Sequence, residues 1–285
     1  MIEIIHVSDL HFGKTKDWTK KAQRLLKNIL GKFPADKNKN TYLLITGDII
    51  DNWDIAKNAW KTQYKLAEEA LSVFKLKVGM VPGNHDYGLG GFGYSKECVE
   101  YFDDSFLPVL GIRHRFRTKR PFHKILDDGK GSKVLIIGLN SCLMTPSPLD
   151  IARGEIGERQ RARLDEILSD RANKDIPKIV YLHHIPHRRA KGIGMSLMDY
   201  RKLMAVVEGR VKALAFGHEG AMKDPSKKRT TPVSPALRPM RIRRAGYRGI
   251  KFYLDANACV EQQSCYHIKV EGMTVTVGLL KLERS

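Results

Sequence analysis

Residues 2–11 read Ile-Glu-Ile-Ile-His-Val-Ser-Asp-Leu-His, an apolar run that passes directly into Asp9-Leu10-His11. A short, nearly continuous apolar run of this kind predicts a buried β-strand over residues 2–7. Ligands of open α/β sheets usually bind beyond the carboxyl ends of the strands. The stretch therefore predicts the first strand of an α/β fold, with functional side chains at its carboxyl end.

The same alternation of a strand with an amphipathic helix continues along most of the chain. Further strands are predicted at residues 42–46, 78–81, 134–138, 179–182 and 213–216. Helices are predicted at residues 18–30, 53–74, 95–106, 158–171 and 199–208, where apolar residues recur every three or four positions. This alternation predicts a layered α/β fold.

From about residue 240 the pattern changes to strands alone, at residues 250–254, 265–270 and 274–280. Glu271-Gly272-Met273 joins the last two as a hairpin that would complete a second sheet. The chain shows no internal repeat and no Gly/Ser-rich linker. We therefore expect one domain over residues 1–285, with a basic loop at about 221–249 and antiparallel C-terminal strands at about 250–282.

Five of the predicted strands end in side chains that can bind a metal. These ends are Asp9-Leu10-His11, Gly47-Asp48-Ile49-Ile50-Asp51, Pro82-Gly83-Asn84-His85-Asp86, His183-His184-Ile185-Pro186 and Gly217-His218. Mixed oxygen and nitrogen ligands suit Mn²⁺, Fe or Zn²⁺ more than Ca²⁺. One such residue alone is more often a cap or a satisfied polar group, but five converging strand ends predict a metal site.

In this order the motifs resemble those of the calcineurin-like metallophosphoesterases: D-x-H, G-D-x-x-D, G-N-H-D/E, H-x-P and G-H-x-H. The resemblance spans Asp9 to His218 and implies a four-layer α/β/β/α sandwich of two mixed sheets flanked by helices. Ile-Gly-Glu-Arg-Gln at 156–160 further resembles the cyclic-nucleotide and glycerophosphodiester phosphodiesterase branch. The same helix start also fits ordinary capping chemistry.

The resemblance implies a centre of two divalent metal ions, Mn²⁺ or an Fe/Mn pair, with Zn²⁺ as a further candidate. The implied ligands are Asp9 and His11 for the first metal, Asp48 as the bridge, and Asn84, His184 and His218 for the second. His183 is the rival of His184. The H-x-P phasing favours His184, and strand alternation allows only one of the two to face the site.

Two residues of the third motif carry the implied catalytic roles. His85 would lie near the leaving-group oxygen as an acid or charge stabiliser, and Asp86 would orient its ring. The implied reaction is attack on a phosphoester by a hydroxide that bridges the two metal ions.

The last motif departs from the family pattern, because Gly220 stands where a second His is expected. In the family that His binds the first metal, so one alternative is a weak first site and a second is an enzyme that runs on one tight metal. Loss of catalysis is the third alternative. Glu219 occupies the intervening position and is a poor substitute, since its side chain should point away from the metals.

The net charge of +19 indicates a polyanionic partner, although a solvated basic surface would give the same number. Three stretches hold nearly all of the excess: residues 113–124, 188–191 and 223–251. The last two directly follow predicted metal ligands. We therefore expect a phosphate-binding rim that holds a phosphorylated small molecule, and the same rim fits nucleic acid.

Four cysteines without a C-x-x-C pair argue against a disulfide scaffold and a structural zinc site. We find no signal peptide and no apolar run of the ~18 residues that a membrane span needs. The expected location is the cytoplasm, and the sequence leaves the oligomeric state open.

The leading functional hypothesis is a metal-dependent phosphodiesterase acting on a small phosphodiester or nucleotide. The alternatives are a metal-dependent nuclease, a hydrolase of an anionic lipid headgroup, and a catalytically impaired homologue that binds nucleic acid.

Overall fold

The first strand occupies the centre of a five-stranded sheet and begins a two-sheet structure. A computed structural model describes residues 1–34, 39–53, 59–74, 77–88, 94–142, 153–186, 197–218, 242–244 (backbone only) and 250–282. The strands are β1 (Ile2–Val7), β2 (Thr41–Ile45), β3 (Val78–Met80), β4 (Phe122–Asp127), β5 (Lys133–Gly138), β6 (Lys178–Tyr181), β7 (Ala213–Phe216), β8 (Ile242–Arg244), β9 (Phe252–Asp255), β10 (Ser264–Glu271) and β11 (Thr274–Lys281).

The helices lie mostly between these strands, as the alternating pattern predicts. They are α1 (Lys16–Lys32), α2 (Ala59–Leu71), α3 (Asn84–Tyr87), α4 (Lys96–Tyr101), α5 (Leu107–Val109), α6 (Glu158–Ser169), α7 (Tyr200–Val207) and α8 (Cys259–Gln262). Short 3₁₀ turns occupy Ser72–Phe74, Phe116–Thr118 and Arg171–Asn173, and a π-helical turn at Phe102–Phe106 joins α4 to α5. The helix predicted at 95–106 is therefore interrupted.

Each sheet mixes parallel and antiparallel strands. The first has the order β11-β10-β1-β2-β3, in which β1, β2 and β3 are parallel and β10 is antiparallel to both neighbours. The second has the order β4-β5-β6-β7-β9-β8, with β5, β6, β7 and β9 parallel and an antiparallel strand at each edge. With helices outside both sheets, the prediction of an α/β/β/α sandwich is confirmed.

Two apolar clusters hold the layers together. The larger one contains residues of both sheets, such as Ile4 and Ile136, and continues under α1 and α2. Helix α1 contributes Leu25 and Ile29, from the face that the spacing of its apolar residues predicts. The smaller cluster lies between the second sheet and the helices α6 and α7.

Two details of the sequence interpretation are corrected. Strand β4 was not predicted. It is an antiparallel edge strand whose side chains are mostly exposed, and its sequence, Phe-His-Lys-Ile-Leu-Asp, lacks a continuous apolar run. The C-terminal hairpin β10–β11 joins the first sheet through β1, instead of completing the second sheet.

Most of the basic loop predicted at 221–249 lies outside the described residues, apart from β8.

Parallel pairing places the carboxyl ends of β1, β2 and β3 together at one edge of the first sheet. The carboxyl ends of β6 and β7 lie together in the second sheet. All five polar motifs follow these ends. Within the described residues, no helix combines the length and apolar character that crossing a membrane requires.

Candidate metal centre

The loops that follow β1 and β2 run side by side and carry three of the predicted ligands. Backbone amides of Asp9 and His11 donate to the carbonyls of Gly47 and Asp48, at 3.1 and 3.0 Å. Asp9, His11 and Asp48 all have left-handed backbone conformations, with φ of 54°, 44° and 52°. Each such conformation costs a non-glycine residue about 1–2 kcal/mol, and strain of this kind clusters at functional sites.

His218, after β7, is a fourth candidate ligand in the left-handed region, with φ of 75°. Its backbone amide donates to Asp9 Oδ2 at 3.1 Å, which ties the end of the second sheet to the end of the first. The protein therefore holds the candidate ligands in strained conformations through contacts between separate strand ends.

The glycines that open the motifs allow these strand ends to approach one another. A Cβ at Gly83 would lie 2.1 Å from Asp48 Oδ1, and a Cβ at Gly217 would lie 2.3 Å from Asp9 Oδ2. Any side chain at either position would displace a candidate ligand. Glycine is therefore required by the close packing of the loops around the carboxylates.

Asp48 is the centre of the arrangement. Its Oδ2 lies 3.3 Å from His183 Nε2, 3.7 Å from His11 Nε2 and 3.9 Å from His85 Nε2. Its Oδ1 accepts a hydrogen bond from the His85 backbone amide at 3.0 Å. Although burial disfavours the charge, the neighbouring His183 and His85 keep the pKa of Asp48 well below its usual range. A buried carboxylate shared in this way is suited to bridge two cations.

One group of ligand atoms forms around His183. Its Nε2 lies 2.9 Å from His218 Nδ1, 3.0 Å from Asn84 Oδ1 and 3.3 Å from Asp48 Oδ2. The Nδ1 of His183 lies 2.7 Å from the carbonyl of Thr46, which can only accept, so Nδ1 carries a proton and directs Nε2 into the group.

These donors fit a metal ion. Burial and the nearby charge of His183 lower the pKa of His218 to about 3, so the His218 ring is neutral. Burial also opposes a charge on His183, but Asp48 outweighs it and raises the pKa of His183 to about 9. A proton on His183 Nε2 therefore lies among three acceptors, which are His218 Nδ1, Asn84 Oδ1 and Asp48 Oδ2. A divalent cation in place of that proton would bind all three acceptors and Nε2.

His184 occupies a different environment from the one that the H-x-P phasing predicts. Its Nδ1 makes a 2.8 Å hydrogen bond with Ser141 Oγ, and Gly154 packs against the ring, where a Cβ would lie 2.4 Å from Cγ. Burial, reinforced by His218, lowers the pKa of His184 well below its usual range. The structure therefore places His183, and not His184, in the group around Asp48. The H-x-P phasing contains no information about the contact between the Thr46 carbonyl and the ring of His183.

A second group contains His11, Asp48 and His85, whose ligand atoms lie within 4.8 Å of one another. Asp9 Oδ1 lies 3.7 Å from His11 Nε2. Burial opposes a charge on His11, but the carboxylates of Asp51 and Asp9 outweigh it and raise the pKa of the ring to about 10. Asp48 belongs to both groups.

Asp51 contacts two rings of the second group, although the sequence interpretation assigned it no role. Its Oδ1 lies 3.4 Å from His11 Nδ1, and its carbonyl lies 2.5 Å from His85 Nδ1. Through these two contacts Asp51 holds both rings in the second group. The signal was present, because Asp51 is the final residue of the G-D-x-x-D motif.

Asp86 does not hold the ring of His85, contrary to the predicted role. Its carboxylate accepts from the backbone amides of Gly83 and Ile49, at 2.8 and 3.0 Å, and so joins the loops after β2 and β3. Burial, with a contribution from Asp48, raises the pKa of Asp86 to about 7. Successive residues of a helix point about 100° apart, which explains why Asp86 of α3 turns inward while His85 faces the site.

The basic stretch 113–124 proves heterogeneous. Arg117 forms an ion pair with Asp104 at 2.7 Å, and the half-buried Lys119 donates from Nζ to the carbonyl of Cys142 at 2.7 Å. Arg113 and Lys124 lie elsewhere, beside a cavity between the sheets. Glu219, Gly220 and residues 188–191 lie outside the described residues, as does nearly all of 223–251.

Comparison with known protein families gives one match over most of the chain. A family model described as calcineurin-like phosphoesterase matches residues 2–222. A protein of Arcobacter nitrofigilis described as a probable glycerophosphodiester phosphodiesterase, GpdQ, is 25% identical over 227 residues. The match covers 75% of this chain and 70% of that relative.

Solved structures share the architecture at low sequence identity. A dimetal phosphatase from Danio rerio aligns with a TM-score of 0.67 and 11% identity, over 99% of each chain. GAP50, described as the anchor in the inner membrane complex of Plasmodium, aligns with a TM-score of 0.58 and 11% identity, over 99% of this chain and 85% of that one. At this identity the two structures show a common fold alone.

Proposed function

Because the chain belongs to the calcineurin-like phosphoesterase family, and is therefore a metal-dependent hydrolase of phosphoric esters, we propose that its substrate is a small phosphodiester or nucleotide. The relative described as a probable glycerophosphodiester phosphodiesterase supports a diester over a monoester. The structural observation that carries the proposal is the pair of ligand groups that share Asp48.

We propose that His183, Asn84 and His218 hold one metal ion, that Asp9 and His11 hold the other, and that Asp48 bridges them. Two divalent ions in such a centre activate a water molecule and neutralise charge on the phosphate oxygens. Mn²⁺ or an Fe/Mn pair suits the mixed oxygen and nitrogen donors, and Zn²⁺ fits them as well. The first site is the weaker one in this proposal, because Gly220 offers no side-chain ligand.

His85 acts on the leaving group in the proposed reaction. The Asp51 carbonyl keeps a proton on His85 Nδ1, so Nε2 is the ring atom that faces Asp48 and the second group. Burial lowers the pKa of His85, and Asp48 opposes that shift. A phosphate in the site adds negative charge and favours the protonated ring, which can then donate its Nε2 proton to the departing oxygen.

The net charge of +19 favours nucleic acid as the second candidate substrate. A nuclease would bind a chain of phosphates, and its affinity would fall steeply as salt is added. A small phosphodiester carries one charge at the reacting group, so its binding would depend weakly on salt. The two activities are therefore distinguished by the substrate cleaved and by the slope of affinity against salt concentration.

The deciding experiment uses the full chain with added Mn²⁺. It compares bis-p-nitrophenyl phosphate, p-nitrophenyl phosphate, cyclic nucleotides, a glycerophosphodiester, single-stranded DNA and a phospholipid. We expect hydrolysis of the small diesters to exceed that of the monoester and of DNA. Preferential cleavage of DNA would establish the nuclease alternative, and cleavage of the phospholipid alone would establish the lipid alternative. A metal-loaded protein that hydrolyses none of them would be a binding homologue.

Three variants assign the activity to the site. Asp48→Asn should abolish turnover and lower bound metal together. His85→Ala should retain metal but lose rate, most of all on substrates with poor leaving groups. His267→Ala is the matched control, because this ring contacts Glu3 on the first sheet and lies outside both ligand groups.

We further propose that the 285 residues form one domain that works in the cytoplasm. All four cysteines are buried and unpaired, as is usual in a reducing compartment. The pairing of β10 with β1 supports the single domain, because it joins distant parts of the chain in one sheet. Limited proteolysis and cell fractionation test these two points.

A further inference from the structure

A cavity of about 180 Å³ lies between the two sheets, at the side closed by the edge strands β3 and β4. Leu44 of the first sheet and Leu126 and Ile136 of the second line it, and a Cβ at Gly79 would lie within 3.5 Å of both Leu44 and Ile136. The cavity reaches Lys77, which directly precedes β3. Asn84 follows the other end of the same strand. The cavity is therefore separate from the candidate metal centre.

Most of the side chains that line this cavity are apolar, and its size suits a small hydrocarbon group. An apolar cavity of about 150 Å³ stays dry and can take up benzene. The cavity between the sheets has room for a group of about six carbon atoms by the same measure. Gly79 lines it without a side chain, and a Cβ there would approach Leu44 Cδ1 to 3.2 Å.

The charged residues that line the cavity are all basic. They are Lys77, Arg113 and Lys124, with no carboxylate among the lining residues. Arg113 and Lys124 are exposed and form no ion pair with any residue that the structure describes. Asp127, at the end of β4, is already paired with Lys133 at 3.0 Å. Basic side chains around an apolar space produce a positive potential that favours an anionic head and an apolar tail.

We propose that this cavity binds a fatty carboxylate of medium chain length, with the tail between the sheets and the carboxylate near Arg113 and Lys124. The proposal is independent of the phosphoesterase activity, because none of these residues belongs to the candidate metal centre. It also gives Arg113 and Lys124 a role separate from the phosphate-binding rim that the sequence suggested for residues 113–124.

The first test measures binding of carboxylates of increasing length to the full chain by isothermal titration calorimetry. Each added methylene should tighten binding about fourfold from butanoate to octanoate, the fold-change that burying one methylene gives. The gain should stop near octanoate, once the cavity is full. Equal affinity for butanoate and octanoate, or a gain that continues to long chains, would overturn the proposal.

The second test separates the head from the tail. The variant Arg113→Ala/Lys124→Ala should bind octanoate about tenfold more weakly and bind 1-octanol as the unaltered protein does. Lys20→Ala/Lys27→Ala, on the exposed face of α1, removes the same net charge and should leave octanoate binding unchanged. Equal loss in both double variants would show a non-specific charge effect and reject the site.

A third set of variants fills the cavity. Ile136→Phe, from the second sheet, should abolish octanoate binding while the circular dichroism spectrum stays unchanged. Leu44→Phe fills the same space from the first sheet and replaces Ile136→Phe if that variant fails to fold. Full octanoate affinity in a folded, filled variant would place the ligand elsewhere and contradict the proposal.

Discussion

His183 Nε2 lies 3.3 Å from Asp48 Oδ2, although the two residues come from different sheets. The contact brings the ends of β2 and β6 into one group of ligand atoms. His183 makes this contact with Asp48, whereas the ring of His184 is hydrogen-bonded to Ser141.

The variants His183→Ala and His184→Ala should therefore behave differently. Loss of His183 removes a proposed ligand, and we expect metal affinity to fall by more than the ~10–100-fold that is typical of outer partners. Loss of the His184 ring removes one hydrogen bond of Ser141 Oγ, which keeps the one from the backbone amide of residue 184, and should cost about 1–3 kcal/mol of unfolding free energy, with metal retained. Metal analysis and thermal unfolding of both variants check this. Metal loss confined to His184→Ala would restore the H-x-P interpretation.

Asp51→Asn tests the carboxylate that lies beside the His11 ring and leaves the backbone carbonyl that contacts His85 in place. We expect metal affinity to fall about 10–100-fold, because outer partners fix the orientation of ligating histidines. Activity should return when excess Mn²⁺ is added. Asp165→Asn breaks an exposed ion pair with Arg210 and serves as the control. Unchanged metal affinity in Asp51→Asn would show that the contact between Asp51 and His11 does not contribute to metal binding.

Gly83→Ala tests the close packing of the motif loops. The added methyl would lie 2.1 Å from Asp48 Oδ1 and 2.3 Å from Asp48 N, so the bridging carboxylate must move. We expect loss of bound metal and of turnover. Gly31→Ala, in α1 with no atom within 4 Å of the new Cβ, should instead stabilise the protein by about 0.5–1 kcal/mol. An active, metal-loaded Gly83→Ala enzyme would mean that the loops tolerate displacement.

Metal binding should release protons. The pKa of His11 is raised to about 10 and that of His183 to about 9, so both rings are charged at neutral pH in the metal-free protein. Ligation needs neutral rings, so binding of both metals near pH 7 should release roughly two protons. The release should shrink as pH rises through 9–10, and metal affinity should fall as pH falls. Calorimetry in buffers of different ionisation enthalpy measures the number, and zero release near pH 7 would contradict these protonation states.

Gly220→His tests the proposed weakness of the first metal site. Restoring the second His of the G-H-x-H pattern should raise affinity for the weaker metal without changing the stronger one. Glu219→Gln is the matched control, and it should have no effect if Glu219 points away from the metals. Mass spectrometric metal analysis after desalting gives both occupancies. Two tightly bound metals in the unaltered chain would show that the first site is not weak.

The sequence predicted the layers and the strands of both sheet interiors, because these depend on local apolar patterns, and it predicted that five motifs at strand ends carry the candidate ligands. It did not predict β4, since an exposed edge strand lacks such a pattern. It also misplaced β10, whose pairing with β1 is a contact between residues more than 250 positions apart. The choice of His183 over His184 depends on the Thr46 carbonyl of the other sheet, which no local pattern contains.

The pairing of β1 with β10 constrains the order in which the protein folds during synthesis. Ile2 pairs with Val270, so the strand that leads to Asp9 and His11 lacks one neighbour until β10 has left the ribosome. At translation rates of about 5–20 residues per second, that interval is on the order of tens of seconds. During it, one edge of an apolar strand is available for wrong pairing, and contacts of such long range form slowly. Yield of the native protein should therefore depend on chaperones that bind the nascent amino-terminal strand.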